Sequence, residues 1–467
     1  VALDDVDAES VHEVWIHTFR YVGDARVVGG FFLRPTRWAH VLPSRAFFRG
    51  GRVTTAGRVI ASEVRGRLDA QVDPYDPRVT GGIHVFRKGG GRVLLDAAIP
   101  SVEFLRNWLA RPESGIDVGV RGGAGEAHSD VRIDHGRLAL GTRLTAAFRD
   151  VEVATERVVG RADVDISAVH TRDGDSTRFD TVVAATGVEA RIRGYEAAPV
   201  RADRAEITVH AKGVDFVESP LGDAVVTARV PRAEVTDARV AQAFIGGGSG
   251  FRVEAGQGTI GGELGFERGV GQGRGLVAID DTRLAIGPSK ASGNVRAEVD
   301  VRGWSLGSGR VDLGGSRVEV TSVRAPGRTD DWWANVELAS GTLDPGAFPA
   351  WHSQIVAQAR DIRPFVGRLV EATSLPSWLV PVLTVDNLRA RGALSAGREG
   401  LDLRNWSATA GPVRAQATLK KRGDATTGVA VLASGPLAVG IELREGRAHV
   451  ELTDAEGWYR RKVAGER

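Results

Sequence analysis

The chain has no cysteine and no methionine in its 467 residues. The first absence removes disulfides, thiolate metal sites and cysteine nucleophiles together. The second leaves no initiator residue, so the expectation is an excerpt or a processed product, with any signal or anchor upstream. Aromatic residues are few, at 6%, and apolar bulk therefore comes from Val, Leu, Ala and Ile. Lysine is scarcer still: only six of the 61 basic residues are lysine (Lys88, Lys212, Lys290, Lys420, Lys421, Lys462). No apolar run reaches 18 residues, so no stretch reads as a bilayer-crossing helix. A charge of one sign is missing too. Net charge is +2, and the arginines stand singly between acids, without the basic stripe that a nucleic-acid partner needs.

What is present in quantity is glycine, 60 residues without a three-residue period, together with 42% hydrophobic and 26% charged residues. Their arrangement is clearest in residues 294–323. Val295, Ala297, Val299 and Val301 alternate with Arg296, Glu298, Asp300 and Arg302. After a break, Val311 and Leu313 flank Asp312, the chain turns at Gly314-Gly315, and Val318 and Val320 resume around Glu319. A period of two is the signature of a strand with one dry face and one wet face, and the glycines supply the reversals. The device recurs along the chain and predicts a mostly β protein: an elongated, twisted and curled antiparallel sheet with a few short interrupting helices.

Five segments follow from where the pattern breaks. Residues 1–100 read as N-terminal strands; within them 11–21 reads as one strand and 31–48 as a short helix or an irregular edge. Residues 101–236 read as a helix (101–110, with Val102, Leu105, Trp108 and Leu109 at helical spacing) followed by strands. Residues 237–342 repeat that order after an interruption at 237–245. Residues 343–452 open on the longest interruption, 343–383, with a helix expected over 361–371, and then return to strands. Residues 453–467 read as a basic, frayed tail. Phe104, Phe244 and Phe365 mark the three interruptions, and comparable phrases follow each: Leu138 and Leu140, Leu284 and Ile286, Leu401 and Leu403.

Two stretches carry a family resemblance. DIRPFVGRLVEATSLPSWLVPVLTVDNLRARGAL (361–394) and LDLRNWSATAGPVRAQATLK (401–420) resemble the C-terminal part of AsmA-like envelope proteins. GSGRVDLGGSRVEV (307–320) and FRGGRVTTAG (48–57) are similar to the repeated strands of that group. The resemblance implies the repeating β-groove shared with TamB-like and bridge-like lipid-transfer proteins, in which a curled sheet holds acyl chains on an apolar concave face. It further implies a periplasmic location in a bacterial envelope, tethering to the inner membrane by a segment outside this sequence, and phospholipid, membrane and envelope-protein partners.

The residues point the same way independently. Three short helical segments cannot roof a sheet of ~25 strands, so its dry face either closes on itself or is filled by lipid. The expected lining is Val295, Ala297, Val299, Val301, Val311, Leu313, Val318 and Val320, with Leu138, Leu140, Leu284, Ile286, Leu401 and Leu403. Trp332, Trp333, Trp351 and Trp378 are candidates for a membrane interface or a groove end, or for seating a helix on the sheet.

Catalytic patterns are missing. Ten histidines show no metal-ligand spacing, and Asp134-His135 falls in a turn before Gly136. Gly246–Gly250 has no Lys-Ser/Thr after it, so a phosphate cradle is not expected. Gly81-Gly82 and 89–91 read as hairpin turns. Asp4-Asp5, Asp280-Asp281 and Asp330-Asp331 are neighbours that point apart on strands. The expectation is a lipid-binding, lipid-transfer protein that is not an enzyme and holds no cofactor or metal. The alternative is a structural or adhesive β-solenoid or sandwich component of a cell-surface assembly, with a self-packed core.

Overall fold

Strands of 10–18 residues dominate the chain, two to three times the usual five or six. In the computed structural model the described residues are 2–16, 18–33, 38–80, 82–105, 119–174, 176–215, 224–243, 251–286, 289–305, 308–324, 332–344, 350–361, 386–397, 400–422, 425–444 and 447–465. About 80% of them are strand and about 6% helix, so the class is mostly β, with a long sheet and few short helices. Two units divide the chain: Val1–Arg191 with Arg201–Pro231 and Gly265–Arg268, and Ile192–Val200 with Arg232–Leu264 and Gly269–Arg467.

In the first unit β1 (Ala2–Ile16), β2 (Phe19–Leu33), β3 (Ala39–Thr55), β4 (Arg58–Tyr75), β5 (Gly89–Ile99) and β6 (Gly119–Asp134) form an antiparallel meander. The two-residue β7 (Arg137–Leu138) folds back on the end of β6, and β8 (Arg143–Ala154) pairs with the rest of it. Then come β9 (Val158–Asp173), β10 (Ser176–Ile192) and β11 (Val200–Ala211). After β12 (Val225–Val235) and β13 (Phe251–Glu267), β14 (Val270–Ile286) and β15 (Ser289–Ser305) of the second unit pair antiparallel. Its next strands are the two-residue β16 (Val311–Asp312), β17 (Arg317–Arg324), β18 (Trp332–Asp344), β19 (Ala350–Asp361) and β20 (Asp386–Gly397). It ends on β21 (Gly400–Ala410), β22 (Val413–Arg422), β23 (Ala425–Ser434), β24 (Leu437–Arg444), β25 (Arg447–Glu451) and the helix α1 (Ala455–Gly465).

Such long strands keep one face apolar by means of bulges. Asp5, Glu63, Asp150, Asp281, Ser322 and Asn405 have φ between 49° and 61°, the left-handed region that short polar side chains tolerate best. Each sits at a register shift in its strand. In β14, Ile279 pairs with Val295 and Thr282 with Gly293, so one extra residue restores the inward phase and bends the strand. The amide N–H groups of Asp150 and Asp281 are satisfied by partner-strand side chains, Asp163 Oδ1 at 2.9 Å and Asn294 Oδ1 at 3.2 Å. The neighbouring acids Asp280-Asp281 thus belong to a bulge.

Several local expectations change. Residues 11–21 are not one strand: the chain reverses between Ile16 and Phe19. Residues 39–48 are strand, because β2 and β4 pair on both sides of β3 and give its backbone ladder partners. Gly89–Gly91 begin β5 rather than turn; a Cβ at Gly89 or Gly91 would stand 2.1 or 2.4 Å from a carbonyl oxygen of β4. The interruption at 101–110 shows a single short turn of 3-10 helix, Glu103–Leu105, and its remainder lies outside the described residues. Another 3-10 helix, Ala238–Ala243, marks the second interruption. Residues 350–361 of the third are strand β19, while the helix expected over 361–371 lies outside the described residues apart from Asp361, the last residue of β19. The C-terminal segment is the ordered helix α1 instead of a frayed tail, since Ala455 and Tyr459 bury against Val429 and Val431.

Candidate functional site

Residues directly opposite in neighbouring strands share a face. In the first unit the register sets Ala8, Val27, Ala46, Leu68, Val93 and Val131 in a row across β1 to β6. A second row, Ala97, Ala127, Ala146 and Ile166, continues from β5 to β9. Tyr21, Ala25, Ala46, Phe48, Ala61 and Val64 are buried on this face, with Val14, Val53, Leu68 and Leu95 packed against them. Tyr21 Oη donates to the carbonyl of Asp24 at 2.9 Å and contacts that of Gly50, which lets its ring lie in an apolar setting with its polar end satisfied.

Over these strands lies a cavity of about 440 Å3. Its walls come from every strand of the meander: Val14 of β1, Tyr21 of β2, Phe48 of β3, Leu68 of β4, Val93 of β5 and Ile133 of β6. A face that six consecutive strands turn toward one cavity is concave there. Phe86, from the 3-10 helix Gly82–Lys88, closes one side, and Gly89–Gly91 leave the adjoining floor without side chains. The polar side-chain groups of the lining are the Tyr21 hydroxyl, bonded to the Asp24 carbonyl, and Asp69 and Gln71, which belong to the alternate face of β4. The volume lies in the usual range for small-molecule sites.

The second unit repeats the apolar row on a longer scale. Val277, Ala297, Val318, Val336, Ala357, Ala390, Ala408, Ala415, Leu432 and Val439 are successive partners across ten strands from β14 to β24. At about 4.8 Å per strand the row covers about 43 Å. Beside it run Ile279, Val295, Val320, Ala334, Ala359 and Leu388. Most of these side chains are half-buried, neither packed away nor fully wet. Helix α1 takes the other face: it covers Val429 and Val431, with the Trp458 ring over Gly440, while Val439, Ile441 and Leu443 gather on the row's side.

The opposite face is an ion-pair lattice. In the first unit Arg45, Asp69, Arg92 and Arg132 are register partners. Asp69 meets Arg67 at 2.9 Å, and Asp130 takes the Arg92 fork at 2.6 and 2.7 Å and Arg132 at 3.4 Å. The Arg92 guanidinium, aided by Arg132 against a modest burial penalty, holds the Asp130 carboxyl down at about 2. Near the other end of the chain Arg422 and then Arg404 hold the Asp402 carboxyl below its ordinary value. Many of the scattered arginines are thus matched by acids along a solvated surface.

Among the expected lining residues, Val295, Ala297, Val299, Val301, Val311 and Val320 are half-buried and Val318 is just exposed. Leu313 lies in a turn beyond β16, its N–H bonded to Gly341 O at 2.7 Å. Leu401 and Leu403 pair with Ala396 and Leu394. Leu138 is buried against Ile133 in β7, Leu140 and Leu284 are half-buried, and Ile286 pairs with Ser289 in backbone register. The tryptophans are not one cluster. Trp332 is buried at the start of β18 with Nε1 donating to Asp361 O at 2.8 Å, and Trp333 is exposed. Trp351 opens β19, paired with Leu343 at the other end of β18, some 35 Å away by strand rise. Trp378 lies outside the described residues.

Sequence reasoning missed the first-unit cavity, although the alternation of Val64, Leu68 and Val72 and of Val93 and Leu95 was its signal. It also missed His170, buried on the apolar face of β9 edge-on to Phe179, with neither ring nitrogen bonded to a protein group. Asp134-His135 is an exposed turn, His135 at φ 47° with its Nδ1 2.6 Å from Asp134. Among the described residues there is no group of three or more metal-ligating side chains. No described helix is long and apolar enough to cross a membrane, which leaves strands unaddressed. No family model, no curated protein and no solved structure matches the chain.

Proposed function

We propose that the protein is a non-catalytic carrier of acyl lipid, of the repeating β-groove kind that its sequence resembles, acting in a bacterial envelope. The observation that carries this reading is the apolar cavity of about 440 Å3 on a sheet face whose rows of Val, Leu and Ala the described helices cover only in part, at Phe86 and at the turn of Val102 and Leu105. An acyl chain exchanges one apolar surrounding for another when it moves from a bilayer to such a face, so transfer along it needs little driving force. In this reading the phospholipid tail lies on the rows, the headgroup stays outside the strand ends, and a segment outside the described chain holds the protein at the inner membrane.

Mass spectrometry of an organic extract of the purified protein tests the proposal. Phospholipid or fatty acid in near-stoichiometric amount is expected. A lipid-free extract from protein purified without detergent would favour the structural or adhesive module, whose core fills itself.

A further inference from the structure

The apolar face of the first unit does not stop at the cavity. Val41 of β3 pairs with Val72 of β4, which lines the cavity, and with Phe31 of β2, which pairs in turn with Leu3 of β1. Both Leu3 and Phe31 are exposed. At the same strand ends Leu33 pairs with Ala39, and Ala39 with Tyr75, so Trp38 stands next to the turn that follows β4. That turn closes over the Asp76 carbonyl, which accepts from Val79 N at 3.1 Å and Thr80 N at 2.8 Å, and leaves the Val79 side chain 83% exposed. Phe86 follows, 47% exposed while also lining the cavity, and Trp38 is 51% exposed. One end of the β1–β5 meander thus presents a band of large apolar side chains continuous with the cavity mouth.

Soluble surfaces seldom gather so many large apolar groups without a partner. The charge around the band indicates which partner. The 3-10 helix that carries Phe86 ends on Arg87 and Lys88. Arg78, before Val79, is neutralised by Asp76 at 2.7 Å and Asp73 lies 3.7 Å from His135, so Arg87 and Lys88 are the cations at this side of the band, and the exposed Asp5 lies at its far side, two residues from Leu3. Apolar tips framed by cations match a bilayer, with Trp38 at headgroup depth, Val79 and Phe86 beneath it and the cations among anionic phosphates. Trp15, at the opposite end of β1, does not share this setting. Its ring lies 5.6 Å from the Arg20 guanidinium, and its indole N–H meets Glu13.

We infer that this band, from Leu3 and Phe31 to Trp38, Val79 and Phe86, docks the chain on a phospholipid bilayer and sets the cavity mouth against it. The inference takes its purpose from the lipid-carrier reading and deepens it by assigning the entry surface.

The test is flotation of the whole chain with vesicles of phosphatidylethanolamine and phosphatidylglycerol. In parallel, a fluorescent fatty acid is titrated in the absence of vesicles. The variant is Trp38→Ser with Val79→Asp, two residues outside the cavity wall; Trp15→Ser is the control. The expected result is that the chain and Trp15→Ser float alike, that Trp38→Ser/Val79→Asp binds vesicles at least tenfold more weakly, and that all three bind the fatty acid equally. Failure of the unaltered chain to float, unchanged binding by the double variant, or equal loss in Trp15→Ser overturns the docking surface. So does a dimer that disperses in the double variant with no vesicle binding by either form, since the band would then join two copies. Absence of fatty-acid binding alongside normal flotation defeats the carrier reading and leaves the docking surface standing.

Discussion

Val93 and Leu94 are adjacent in β5 and face opposite sides of the sheet, which allows a paired test of the cavity. Val93 lines it, between Leu68 and Val131. Leu94 lies between Arg67 and Asp130 on the ionic face. A space of about 440 Å3, at roughly 30 Å3 per water-sized group, takes on the order of fifteen methylenes. At about 0.8 kcal/mol each, their transfer from water is worth about 12 kcal/mol, and subtracting at least about 4 kcal/mol for association and chain ordering places a fatty acid in the micromolar range or weaker. In Val93→Asp the acyl chain must strip water from a carboxylate. That costs at least about 3 kcal/mol, or about a hundredfold in affinity. Leu94→Asp adds a carboxylate beside Arg67 and leaves the cavity unchanged, so its affinity should stay within about twofold. The isosteric Val93→Thr buries one hydroxyl and should cost about 1 kcal/mol. Fluorescent fatty-acid titration near neutral pH reads all three, with thermal melts to establish that each variant is folded. Lower pH protonates the new carboxyl, so Val93→Asp should regain affinity toward pH ~4. Equal weakening by Val93→Asp and Leu94→Asp would refute the reasoning, and so would no weakening by either.

The same logic applies to the second unit. Val299→Asp should abolish co-purifying lipid while the neighbouring Glu298→Lys, on the exposed face, leaves it intact, as read by extraction of both variants. Asp130 provides a pH test. Its folded carboxyl is held at about 2 by Arg92, below the ordinary 3.8, so the pair stabilises the fold above pH ~4 and that stability is lost as pH falls through about 2. The shift corresponds to at most about 2 kcal/mol, nearer ~1 once the exposure of Arg92 is discounted. Acid unfolding of Asp130→Asn should lack this increment, and curves that stay parallel from pH ~5 to ~2 would remove the assignment.

The mostly β class was legible because period-two alternation depends on local sequence alone, as in Val295 to Arg302. Bulges were not legible. They reveal themselves only when two strands are counted against each other, so Asp280-Asp281 looked like a pair of idle acids and Gly89–Gly91 like a turn. Residues 39–48 were obscured by Pro43 and Trp38, whose local preferences gave way to the ladder partners offered by β2 and β4. Helix α1 was hidden for the opposite reason. Its charged sequence has little amphipathic signal, and the side chains that hold it, Val429 and Val431, are more than twenty residues away. The lining residues of β15 and β17 stood out by their clean alternation, whereas the cavity of the first unit is built from aromatic and aliphatic side chains of six strands that no single window of sequence contains.

Alanine makes up half of the ten-residue row in the second unit: Ala297, Ala357, Ala390, Ala408 and Ala415. Two packed sheet layers stand about 10 Å apart and fill the gap with interdigitating large side chains. A methyl group reaches only a small part of that distance, so a row of alanines leaves room for a filler that the protein does not supply. Ala357 and Ala390 are direct partners in β19 and β20, and the double change Ala357→Leu/Ala390→Leu tests which situation holds. In a core that already packs itself, the added methylenes would force side chains off their rotamers and cost about 1–3 kcal/mol for each site, lowering the melting temperature. On an open face the leucines displace lipid rather than neighbours, so extractable lipid should fall while the delipidated protein melts no lower than before. A lower melting temperature with no change in lipid content would mean that the row is an ordinary protein interior, and the carrier reading of the second unit would fail with it.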